Sequence, residues 1–156
     1  AESNAGRPAG SCAHRWLAPP RGFGENLSAR GLTEDRIRIG DRFRLGTALV
    51  EVAQGRQPCW KLDHHFARPS MAADVIRTAR GGCYVRVIES GEVAAGDAIT
   101  QVEEGPAPWT VARVFHLLIG GGHKDAEGQA ALAELSALAV LAENWRARAM
   151  KLRRTA

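Results

Sequence analysis

The chain has 156 residues, of which 45% are hydrophobic and 24% charged, with a formal net charge of +4. That leaves room for one ordinary domain with a real core, and it excludes a fibrous or wholly disordered chain. No apolar run reaches bilayer length and the start lacks a charged-then-apolar signal pattern, so a cytoplasmic address without a membrane partner is expected. The cysteines, Cys12, Cys59 and Cys83, are odd in number and show no CxxC spacing, which argues against a disulfide framework. The positive charge is local. Five of the 21 Lys and Arg lie in "WRARAMKLRR", residues 145–154, leaving 16 basic against 17 acidic residues elsewhere.

Residues 1–21 are rich in Ala, Gly, Pro, Ser and Arg without an apolar period, and are expected to be irregular. In "RIRIGDRFRLG" the pairs Ile37, Ile39 and Phe43, Leu45 alternate around a Gly40-Asp41 turn, which predicts two short strands. Gly46-Thr47 turns the chain into a further strand, "ALVEVAQ". A helix is predicted from about Ser70 to Ala79, with Met71, Val75 and Thr78 on one side. "CYVRVIE" is the strongest strand signal, and a second Gly-Asp turn, Gly96-Asp97, leads into "AITQV". Short strands so closely spaced point to a barrel or sandwich. After Gly105 the period changes. "EGPAPW" reads as a linker, Val111, Val114, Phe115 and Leu118 fall at helical spacing, and "GGGHKD" breaks that helix. Two more helices are predicted, around Ala126–Leu135 and Ala137–Met150, with Leu138, Leu141 and Trp145 on the buried side of the last. The expected units are an irregular segment 1–21, a β unit 22–104 and a three-helix unit 105–156.

One stretch carries chemistry: "GRQPCWKLDHH", residues 55–65. Pro58 cannot donate a hydrogen bond and pushes Gln57 towards extended backbone, so the chain breaks where Cys59 sits. Arg56 and Lys61 favour a thiolate there, which suits a soft-metal ligand or a nucleophile. The residues alone favour the plainer alternative, a buried thiol acting as a small hydrophobe. His64 and His65 lack the second cysteine pair that zinc would need, and a partly exposed helix position is expected for them. Cys83 begins a strand without local cations and is expected in the core; Cys12 is expected to be incidental. The basic final helix argues weakly for nucleic acid, because its cations surround Trp145 at packing spacing and helix C-termini favour cations anyway. Nucleic-acid binding is therefore not expected.

Three pieces in this order, "GFGENLSARGLTEDRIRIGDRFRLG", "LVEVAQGRQPCWKL" and "GGCYVRVIESGEVAAGDAI", resemble the MOSC domain, named for the C-terminal domain of molybdenum cofactor sulfurases. The helical end, "LAENWRARAMKLRR", is similar to the three-helix extension of the YiiM-like branch, so the resemblance runs from residue 22 to about 154. It implies a mixed β+α fold: a MOSC-type β-barrel, incomplete at its N-terminus, followed by a small three-helix unit. In that family the cysteine of the Pro-Cys element is the protein ligand to molybdenum in a pyranopterin cofactor. Cys59 is the matching residue and takes the catalytic, cofactor-binding and metal roles together.

The same resemblance implies roles for other residues. Arg56 and Lys61 would contact the anionic cofactor, whose pterin ends in a phosphate. Asn26 in "GENL" would hydrogen-bond the cofactor or bracket a local turn. Arg86, inside an apolar strand, needs a partner, either a phosphate or an internal carboxylate. The branch is associated with reducing N-hydroxylated compounds, R–NHOH to R–NH2, and this chain shows no flavin or iron–sulfur motif, so a separate electron-donor protein is implied. Family members normally carry several strands and a His-Gly-Gly element before the ENL segment, and here about two dozen residues precede it. The alternatives are thus a non-enzymatic cofactor or sulfur-carrier module, or an inactive truncated member.

Overall fold

The computed structural model describes residues 23–153 and the backbone of 14–17. Cys12 and Arg154 lie outside the described residues. The β unit holds β1 (His14–Leu17), β2 (Ser28–Ala29), β3 (Arg42–Leu45), β4 (Ala48–Gly55), β5 (Cys83–Glu89) and β6 (Ala98–Glu103). They form one antiparallel sheet in the order β2-β1-β6-β3-β4-β5. The expected barrel is not closed: among the described residues β2 and β5 are the two edges of an open sheet. The segment expected to be irregular contributes β1, whose pairing joins β2 to β6.

β3 and β4 form a tight hairpin in which Leu45 faces Ala48 across Gly46-Thr47. Gly46 has φ 56, a left-handed value at which a side chain is strained, and a Cβ there would strike the Glu92 carbonyl. β4 runs between β3 and the edge strand β5 and is covered along nearly its whole length, and its "LVEV" run suits that place. The ladders slip register at three points: once between β3 and β6 at Arg42/Phe43, and twice between β4 and β5.

The predicted strand at Ile37–Ile39 is instead a turn with a single isolated bridge, Arg38 to Thr110. Its backbone is committed elsewhere. Ile39 N donates to Trp109 O at 2.9 Å and Val111 N to Ile37 O at 2.9 Å, so the supposed linker is stitched to this turn. The knot is Asp41, 2% exposed. Its Oδ1 accepts from Gly105 N at 2.7 Å and its Oδ2 from Arg38 N at 2.7 Å. Gly105 must be glycine, since a Cβ would run into the Ile39 carbonyl.

Beyond the knot come α3 (Val111–Leu118), a single 3-10 turn at Gly122–Lys124, α4 (Ala126–Ala137) and α5 (Glu143–Leu152). Thr110 caps α3 by accepting from Arg113 N, and Asp125 caps α4 by accepting from Gly128 N. Val111, Val114, Phe115 and Leu118 are all buried, as their spacing predicts. The last helix starts later than expected. Leu138 and Leu141 pack from the connection before it, whose Ala142 N is held by Ala53 O of β4 at 2.9 Å. Trp145 and Phe115 meet over Gly55, where a Cβ would lie 3.0 Å from the indole. No helix among the described residues is long and apolar enough to cross a membrane.

Between β4 and β5 the chain makes two short helices, α1 (Lys61–His65) and α2 (Met71–Thr78). Asp63 of α1 accepts from Ala72 N at 2.8 Å, which fastens the two together.

Replacing Asp41 with Ala leaves two amides without acceptors in a buried site, a loss of about 3 kcal/mol. Urea unfolding of the D41A variant is the check, and a midpoint equal to that of the parent chain would show that the knot carries no stability.

Candidate functional site

A cavity of about 570 Å³ opens between the segment Phe23–Ala29 and one face of the sheet. Its floor is apolar, built from alternate residues of neighbouring strands: Phe43 and Leu45 of β3, Val50 and Val52 of β4, Ile99 of β6. Its polar lining comes from Asn26, Glu25, Glu34, Arg56 and Arg80. Glu25 Oε2 accepts from Phe23 N at 2.9 Å and Oε1 from the Ser28 hydroxyl at 3.1 Å. Its own backbone amide first, then these two donors, hold the Glu25 carboxyl below its ordinary range against the opposing effect of burial. Glu34 Oε1 accepts from Gly82 N at 2.7 Å, tying the start of β5 to the cavity wall.

The sequence-predicted residues divide. Asn26 and Arg56 line the cavity. Cys59 is exposed and stands between the cavity wall and α1, its carbonyl accepting from Leu62 N at 3.0 Å. The plainer expectation of a buried Cys59 thiol is therefore overturned: β4 ends at Gly55, and Cys59 lies in the irregular stretch before α1 with its side chain exposed. Lys61 is the exposed first residue of α1. Neither Cys59 nor Lys61 is in the cavity lining, yet their segment is attached to its rim on both sides. Before it, Arg56 N donates to Gly82 O at 2.9 Å. After it, the Phe66 ring packs on Phe23 with centroids 5.1 Å apart. Trp60, 67% exposed, meets His64 edge-on at 5.9 Å.

Arg86 is not brought to the cavity. It lies 3.5 Å from Glu51 Oε1 and donates to Val140 O at 2.9 Å, so the internal carboxylate is its partner. Arg42 holds the other oxygen of Glu51 at 2.9 Å. Glu51, 3% exposed, is thereby bracketed by arginines from both neighbouring strands, which gives each of its oxygens a partner inside the sheet. Arg86 acts on the cavity only by fixing β5 to β4 and to the turn before α5.

Sequence reasoning missed several lining residues, Arg80 and Cys83 among them. Arg80 gave no signal because it sits in a turn between α2 and β5, where a single exposed cation has no distinguishing pattern. Cys83, expected in the core, packs against it and also forms part of the cavity wall. Burial, with a smaller push from Glu34, raises its thiol from 9.0 to about 12. It is a neutral wall group at ordinary pH and no nucleophile. Among the described residues no cluster of three or more His, Cys, Asp or Glu is placed to hold a metal ion.

Comparison with known proteins gives a consistent picture. Residues 4–100 match the family model of the MOSC domain. The chain is 39% identical over 129 residues to YflK of Bacillus subtilis, which covers 83% of this chain and 57% of that protein. It is 37% identical over 97 residues to a protein of Gibberella moniliformis named reductase, covering 62% of this chain and 17% of that one. It thus spans less than two thirds of either relative. The crystal structure of YiiM from Geobacillus stearothermophilus is similar at a TM-score of 0.80 and 33% identity, covering 88% of this chain and 68% of that one.

The two described thiols should separate cleanly. Iodoacetamide at neutral pH is expected to modify Cys59 in the folded chain and leave Cys83 untouched, with both reacting in denaturant. Peptide mapping by mass spectrometry checks this, and modification of Cys83 at the same rate as Cys59 would contradict its burial.

Proposed function

The chain belongs to the MOSC domain family, and on that premise we propose that it holds a pyranopterin molybdenum cofactor through Cys59 and reduces N-hydroxylated compounds. One observation carries this reading: an exposed thiol sits on a segment attached, before and after, to the rim of a cofactor-sized cavity. The residues fit such a group. A cavity of about 570 Å³ falls within the ~300–1,000 Å³ of small-molecule and cofactor sites. No atom lies within 4 Å of the Cβ position at Gly24 or Gly82, so both rim glycines leave the mouth open. The donor set is a single exposed soft thiol on the segment that also carries Arg56 and Lys61, suited to a metal whose remaining sulfur ligands come from its own cofactor.

When bound, the molybdenum centre supplies the redox chemistry, R–NHOH with two electrons and two protons giving R–NH2 and water. The chain's own residues do the rest. Cys59 is the protein ligand. Arg56 and Lys61 meet the anionic cofactor. Asn26, on the cavity wall, offers an amide with both donor and acceptor sides to the edge of a heterocycle. The apolar floor keeps water from the site. Arg86 is a positioning residue, acting through Glu51. A separate electron-donor protein delivers the electrons. Residues 22–104 form the cofactor unit, which fits with every cavity-lining residue lying between Phe23 and Ile99, and 105–156 brace it from behind.

The test is expression in a host that makes the cofactor, followed by molybdenum analysis and reduction of an N-hydroxylated aromatic amine with an electron-donating protein supplied. The parent chain is expected to carry molybdenum and turn substrate over. The Cys59→Ser variant should lose at least about tenfold in metal content and all reduction, with an unchanged unfolding midpoint. Equal molybdenum in parent and variant would remove Cys59 as ligand, and metal without reduction would make the chain a cofactor-carrier module.

A further inference from the structure

We propose that the outward face of α1, centred on Trp60 and His64, is the docking site of the electron-donor protein, and that this donor is a small acidic carrier. The inference deepens the proposed reductase role and rests on it for the identity of the partner.

Helical spacing divides α1 into two faces. Trp60, which precedes the helix in helical backbone (φ -54, ψ -23), and His64 lie on one side. At about 3.6 residues per turn, Leu62 and Phe66 fall on the other. Leu62 is buried, and the Phe66 ring packs on Phe23 of the cavity rim. Trp60 therefore looks away from the cavity and is not among its lining residues. At 67% it is the most exposed large apolar side chain among the described residues, whereas Trp109 and Trp145 are buried. The indole is held all the same. His64 meets it edge-on at 5.9 Å, and Asp63 fastens the backbone beneath by accepting from Ala72 N at 2.8 Å through Oδ1 and from Arg68 N at 2.9 Å through its carbonyl. A large aromatic ring kept in water on a fixed backbone loses little freedom when a partner covers it, which is how interface hot spots are built.

Place, charge and size select the occupant. Trp60 directly follows Cys59, so their Cα atoms are ~3.8 Å apart. A redox protein seated on the indole would stand one peptide unit from the proposed metal ligand and leave the cavity open to substrate. The rim of the face is positive or neutral: Lys61, His64 and His65 are exposed, and Asp63, the one acid of α1, is turned inward to Ala72. The formal net charge of +4 adds to the attraction for an acidic partner. A second copy of the chain is a poor occupant, because it would set the same Lys61 and histidines against each other. The size of the face also fits. Five residues of α1 make about 7.5 Å of helix, too little for a permanent interface. The brief encounters of electron transfer need less, burying under about 1,200 Å².

The experiment compares two electron sources: a plant-type ferredoxin, which is a small acidic iron–sulfur protein, and reduced methyl viologen, which needs no docking. With the molybdenum-loaded chain and N-phenylhydroxylamine as substrate, W60A is expected to raise KM for ferredoxin at least about tenfold. Its rate with methyl viologen should stay within about twofold of the parent. H64E, which sets an anion beside the indole, should weaken ferredoxin as well. M150A, which removes an exposed apolar side chain from α5, should behave like the parent. Calorimetry on the chain free of molybdenum is the second readout: ferredoxin should bind the parent, more weakly as salt rises, and bind W60A at least about tenfold more weakly. Trp60 gives α1 no side-chain cap bond, so W60A should unfold at the parent's midpoint. The docking face is overturned by any of four results: no ferredoxin binding to the parent, an unchanged ferredoxin KM in W60A, an equal loss in M150A, or an equal loss of the methyl viologen rate in W60A. A chain that methyl viologen cannot drive would instead refute the reductase role, and the calorimetric comparison would still decide the docking face.

Discussion

The carboxylate of Asp41 is where sheet and helices are joined. It binds the amides of Arg38 and Gly105, and the same residue's carbonyl accepts from Val52 N of β4 at 2.9 Å. Both side-chain oxygens of Asp41 accept from backbone N–H donors, and Asn in its place would turn an N–H towards another N–H. Both Ile37, just before this knot, and Val52, bonded to it, are also cavity lining. The shape of the site therefore depends on a residue that takes no part in its chemistry.

The strands that alternate strongly or bury both faces were legible in the sequence: β3 to β6 and the hairpin at Gly46-Thr47 lie where period and turn chemistry put them. The two failures have physical causes. Ile37 and Ile39 alternate like a strand, but their backbone groups go to Trp109 and Val111, a pairing that depends on Asp41 reaching Gly105 across 64 positions. No local pattern announces that. β1, "HRWL", has no alternation and is followed within a few residues by Pro19-Pro20, so nothing in its own composition marks it as a strand; it exists by pairing with β2 and β6. The late start of α5 is a milder case, in which Leu138 and Leu141 have helical spacing but are buried by a turn.

At the site, the residues around Cys59 pointed to a buried thiol and the structure exposes it, while its proposed role rests on family resemblance. Cys59 lies in the irregular stretch between β4 and α1, and the neighbouring cations, Arg56 and Lys61, end up in different places, one in the cavity wall and one on the helix surface. For Arg86 the sequence argument left a phosphate or a carboxylate open, and cross-strand register decides it, since Glu51 is its direct partner in the ladder. Arg80 and Cys83 were illegible as cavity residues because a wall made from several separate segments has no signature in any one of them.

The slips in strand pairing have a geometric consequence. Each extra residue on one side of a ladder bends and coils the ribbon locally. The β4–β5 ladder has two such slips and the β3–β6 ladder one, all in strands whose inward residues form the floor. A trough deep enough to seat a ring system thus arises from miscounted rungs, and concavity here requires no continuous circle of strands.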